Sequence, residues 1–112
     1  MAKKEWMLRN KKVWVVSYRY SDKHGDEGTV IVGAYTTREK ANEACEKSVE
    51  HYLTSFGGVD KDGKITDAIS EIGNDDAEGM TLAKARKAMS VTIIDPSGGT
   101  WCDWNITETK LV

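Results

Sequence analysis

The chain has 112 residues, of which 39% are hydrophobic and 30% charged, with a single proline and a formal net charge of −2. That length fits one domain, residues 1–112, and that composition lies well away from the low-hydrophobicity, high-charge signature of a disordered chain. A balance so near neutrality excludes a uniformly basic nucleic-acid binder and a strongly acidic mimic, so charge is informative only region by region.

Residues 1–12 form a basic lead-in, with Lys3, Lys4, Arg9, Lys11 and Lys12 against Glu5. The apolar run after it, Val13–Val16, is far shorter than the about 20 residues of a membrane-spanning helix, and no signal-peptide cleavage site follows. A cytoplasmic protein without membrane association is expected. In that compartment Cys45 and Cys102 are expected as free thiols, and the Asn105-Ile106-Thr107 sequon as unused.

From Val13 to Tyr20 the side chains alternate, with Trp14, Val16, Tyr18 and Tyr20 on one face and Val13, Val15, Ser17 and Arg19 on the other, which predicts a strand. The polar loop SDKHGDEG then leads to a second predicted strand, Thr29–Tyr35, completing a hairpin. Thr36-Thr37-Arg38-Glu39 fits a capping box, and the apolar spacing of Ala41, Ala44, Cys45, Ser48, Val49, Tyr52, Leu53 and Phe56 predicts a helix that Gly57 and Gly58 stop. Together KKVWVVSYRY and TVIVGAYTTREKANEAC resemble a hairpin-plus-helix pattern found in small bacterial and phage reading frames. The resemblance implies the fold of this half of the chain and carries no activity.

Residues 57–80 read as an acidic irregular linker, in which Asp60, Asp62, Asp67, Glu71, Asp75, Asp76 and Glu78 face only Lys61 and Lys64. Within it VDKDGKITDAISE has part of a calcium-loop pattern. With Gly63 at the loop glycine, Asp60 and Asp62 fall on ligand positions. The first and twelfth positions become Gly58 and Ile69, which offer no side-chain oxygen, so a turn is predicted instead of a metal site. Thr81 is suited to cap a short second helix with Leu82, Ala85 and Met89 inward. Val91–Asp95 and Thr100–Thr107 then flank a Pro-Ser-Gly-Gly turn as a second hairpin. The expected fold is α+β: a four-stranded, mainly antiparallel sheet made from two hairpins, with two helices on one face, in the order β-β-α-α-β-β.

No nucleophile, base and orienting group stand together in this pattern: His24 has Asp22, Asp26 and Glu27 nearby but no second histidine or cysteine, His51 has no carboxylate at helical spacing, and Cys102, although next to Asp103, alternates onto an apolar face as inert packing. The expectation is a non-enzymatic protein-interaction module without cofactor or metal, of the small accessory or inhibitory kind. Its predicted partner-binding residues are Asp60, Asp62, Asp75, Asp76 and Glu78 of the acidic segment, with Trp101 beside Asp103 on the polar face of the last strand. The alternative is nucleic-acid binding by the basic N-terminus, Trp14, Tyr18, Arg19, Lys84, Arg86 and Lys87, with a small hydrolase third. The two leading readings differ on whether Trp14 and Tyr18 are exposed beside Arg19 or buried under the first helix. A homodimer is also considered, with Trp101 packing near its symmetry mate if the second hairpin forms a sheet edge.

Overall fold

The computed structural model describes residues 12–95 and 98–110, so the basic lead-in, apart from Lys12, lies outside the described residues. Alternating β-branched and aromatic residues draw out two long strands, β1 (Lys12–Ser21) and β2 (Glu27–Tyr35). Five residues join them, and Asp22 closes that turn by accepting the backbone N–H groups of His24 and Asp26 through Oδ1, at 2.9 and 3.0 Å.

Helix α1 (Arg38–Ser55) begins one residue later than the capping-box reading places it. Thr37, not Thr36, is the cap, its Oγ1 accepting the N–H of Lys40 at 3.2 Å. Glu39 is thereby left in the first turn, where the helix dipole favours an acid. The helix ends as the double glycine requires: Gly57, at φ +67°, donates to the Thr54 carbonyl, and Gly58 to the Leu53 carbonyl, a Schellman closure. Ala41, Cys45, Val49 and Leu53 form its buried stripe.

Two short strands, β3 (Glu71–Ile72) and β4 (Asp75–Asp76), precede a single helical turn, α2 (Leu82–Ala85), and β5 (Ser90–Asp95) and β6 (Gly98–Lys110) complete the chain. All six strands form one antiparallel sheet in the order β2-β1-β6-β5-β3-β4. The expected four-stranded sheet with order β-β-α-α-β-β is therefore corrected. The acidic stretch contributes a small hairpin of its own, and Thr81 caps one turn where a longer helix is expected. The physical reason is burial. Ile65, Ile69, Ile72 and Ala77 lie in the core with Val16, Val91 and Cys102, so this stretch covers the β5 side of the sheet much as α1 covers β2, β1 and β6.

The helices lie on one face, which carries Val16, Tyr18 and Tyr20 of β1 with Cys102 and Trp104 of β6. By alternation the opposite face carries Ser17 and Arg19 of β1 with Trp101, Asp103 and Asn105 of β6. One irregularity breaks the β1–β2 ladder. Val16 pairs with Gly33 and Ser17 with Ile31, leaving Val32 as a bulge.

Candidate interaction surface

None of the described residues packs over the outer face of the sheet as α1 does over the inner one. Cα register defines rows across it. One row runs from Asp76 of β4 through Glu71, Thr92, Trp101 and Ser21 to Glu27 of β2, crossing all six strands. The next runs from Ser90 through Asp103 and Arg19 to Thr29. Trp101 thus stands near the middle of an open sheet, partly buried among its neighbours, with the Arg19 guanidinium 5.7 Å from its ring centroid. Asp103, opposite Arg19, together with Glu71, Asp76 and Glu27, leaves the two rows with four acids and one base. The field here favours cations.

The residues predicted from sequence divide into groups. Trp101, Asp103 and Asp76 share this face. Asp75 sits in the row of Ile72, on the inner face, although its side chain is exposed at the sheet margin. Asp60 and Asp62 lie in the turn after α1, and Glu78 beyond β4, away from Trp101 in sequence and in element. Asp60 acts locally, its Oδ1 accepting the N–H groups of Asp62 and Lys64, both at 2.9 Å, in a turn whose Gly63 has φ +74°. Among the described residues no three His, Cys, Asp or Glu side chains converge as a metal cluster would.

Trp14 and Tyr18 are partly buried against the core, while Arg19 projects from the other side of the sheet. Lys84 and Lys87 are exposed on and after α2. Arg86 reaches Glu46 of α1 at 3.5 Å. These six residues do not form one surface. From sequence alone Glu71 counts only among the acids of an irregular linker and Glu27 only in the loop before β2, so neither is assigned to a sheet face; the strands they belong to, and the strand order, bring both into the Trp101 row.

A second set of groups lies on the helix side. Ser48, His51, Tyr52 and Ser55 share one flank of α1 and, with Tyr18 and Trp104, line a hollow of about 230 Å³. Trp104 Nε1 donates to Ser48 Oγ at 2.9 Å, and its ring meets Tyr52 edge-on at 5.4 Å. Burial pushes the Tyr52 hydroxyl up to about 12, with the Cys102 and Tyr18 side chains adding to it, and its oxygen is buried without a hydrogen-bond partner among the described residues. Cys102 is likewise pushed up to about 12 by burial and then by the Asp103 charge, and Cys45 is raised by burial and by Glu46. Both cysteines are free, buried and held as thiols, which makes them poor nucleophiles.

No protein-family model matches the chain, and no curated protein or solved structure matches it either.

Proposed function

We propose that the protein is a non-enzymatic interaction module that binds a basic segment of a partner protein on the outer face of its sheet. Trp101 is the anchor, and Asp103, Glu71, Asp76 and Glu27 supply the attracting field. The observation that carries this reading is the row in which a partly exposed tryptophan stands on an open sheet between acids at both margins. Exposed apolar surface rimmed by charge is the usual form of a recognition patch, and aromatic residues in such patches supply most of the binding energy. The same acids repel phosphate, which is why a protein partner is preferred to a nucleic acid for this face.

The test is a titration of isotopically labelled protein followed by amide and indole NMR, with a lysine- and arginine-rich peptide in one arm and a single-stranded oligonucleotide in the other. The peptide should shift the Trp101 indole and the amides of Thr92 and Asp103, weaken as salt rises, and lose about tenfold or more in affinity on Trp101→Ala. Absence of peptide shifts on this face, or shifts produced there by the oligonucleotide instead, would overturn the reading.

A further inference from the structure

The open edges of this sheet are not equally defended. At one margin β4 is two residues long and consists of Asp75 and Asp76, the short and charged form that discourages pairing. Beyond Asp103, where β5 has ended, β6 runs on with Glu108 and Lys110 in its exposed stretch. At the other margin β2 is nine residues long and has no charge from Gly28 to Tyr35, and Val30 and Ile31 are 37% and 63% exposed. Its one defence is the bulge at Val32.

The direction of its free backbone groups follows from the ladder. Trp104 donates its N–H to the Met89 carbonyl, on the β5 side, so odd-numbered residues of β6 bond to β1. Asn105 faces Ser17 and Asp103 faces Arg19, so β1 turns its even-numbered residues to β2. Tyr18 pairs with Val30, which leaves the N–H and C=O groups of Thr29 and Ile31 aimed outward from the sheet.

From this edge we infer that the protein forms a two-fold homodimer by antiparallel pairing of β2 with β2 of a second copy, centred on Val30. In that register Thr29 opposes Ile31 of the mate, and the two residues exchange backbone hydrogen bonds. Val30 meets its own mate on the inner face, a β-branched pair at the closest cross-strand spacing. Glu27 lies outside the short ladder that the mate's bulge limits, and β2 carries no charge from Gly28 to Tyr35, so no charge opposes another. A second copy therefore satisfies the edge without repulsion, and the only partner required is the chain itself. The bulge ends the flat part of the edge just beyond Ile31 and fixes how far the ladder extends.

Strands lie about 4.8 Å apart. With α1 lying across β2, β1 and β6, the two helices stand about 14 Å apart over the joint, wider than the about 8–10 Å of direct helix packing. Strand pairing carries the association, and substitutions at Thr29 and Ile31 test it directly. Trp101 lies two strands away from this edge and stays free in the dimer.

Light scattering from about 1 to about 100 μM should give twice the 12.4 kDa chain mass. Thr29→Lys with Ile31→Lys, and separately Thr29→Glu with Ile31→Glu, should each give the single-chain mass with an unchanged circular dichroism spectrum, since both positions are exposed. Mixing the two variants should restore the doubled mass, because lysine then opposes glutamate. In the unsubstituted protein, hydrogen exchange should find the Thr29 and Ile31 amides protected. A single-chain mass throughout the range, unprotected amides at these positions, a doubled mass kept by the lysine variant, or dissociation by Trp101→Ala would each overturn the proposal.

Discussion

Trp104→Phe, measured against Ser48→Ala, tests how the inner face is held. Trp104 is 5% exposed and donates to Ser48 across the helix–sheet interface, so the phenylalanine removes both a hydrogen bond and part of a packed ring. The bond is worth about 1 kcal/mol. The lost ring volume, roughly 40 Å³, costs about 1 kcal/mol more at 24 cal/mol per Å³ of cavity. Ser48→Ala leaves the indole N–H buried without a partner and should cost about 1–2 kcal/mol, nearly as much as the larger change. Because both variants remove one bond, the double variant should cost little more than Trp104→Phe alone, a coupling of about 1 kcal/mol. Urea unfolding followed by circular dichroism reads each cost as a midpoint shift of about 1 M per 1–1.5 kcal/mol. An unchanged midpoint for Ser48→Ala, or strict additivity in the double variant, would refute the bond as the tie between α1 and β6.

Gly58→Ala should destabilise more than Gly57→Ala. The first would set a Cβ 2.6 Å from Ile69 Cγ1 and 2.8 Å from the Leu53 carbonyl oxygen, whereas Gly57 has open space and pays only for its φ of +67°; costs of about 2–3 and about 1 kcal/mol are expected from urea midpoints. Stability should also fall in alkali. The folded state keeps protons on Cys102 and Tyr52, both pushed up to about 12, that the unfolded chain releases from about pH 9 and 10, so the contribution is complete below pH 9 and is lost as pH rises toward 12. Urea midpoints between pH 8 and 11 check this, and Cys102→Ala should flatten the decline. Asp60→Ala removes the acceptor of two turn amides and should lower the melting temperature by a few degrees, while Asp62→Ala, whose carboxylate caps nothing in this turn, should leave it nearly unchanged.

What was legible in the sequence is what local physics controls. The α1 stripe from Ala41 to Leu53, the threonine cap and the glycine stop follow from helix periodicity and backbone freedom, and even there the cap moved from Thr36 to Thr37 because either hydroxyl suits the position. β3 and β4 escaped notice because two-residue strands have no period to detect, and Asp75-Asp76 is poor strand sequence. One signal was present: Gly73-Asn74 between Ile72 and Asp75 is a tight-hairpin pair, and Gly73 adopts φ +63° there. For the candidate surface, alternation separates Trp101 from Trp104. It cannot say that β6 lies beside β1 and not at an edge, since that pairing joins residues about ninety positions apart. The dimer contact imagined for Trp101 assumed an edge strand, and Trp101 lies on an interior one.

The pairing of β1 with β6 also bears on how the chain comes into being. Lys12 lies opposite Lys110 and is tied to Glu108 at 3.0 Å, so an early strand has no inner neighbour until the last described strand has left the ribosome. Before then, the β1–β2 hairpin and α1 exist as a half-sheet with the inner side of β1 unpaired, an arrangement open to pairing with another nascent copy. Completion of the sheet therefore waits for β6. Because the two strand ends meet at one corner, about 30 Å along β1 from the Trp101 row, a tether joined beside Lys12 or beside Lys110 would emerge from the same place and leave that row clear.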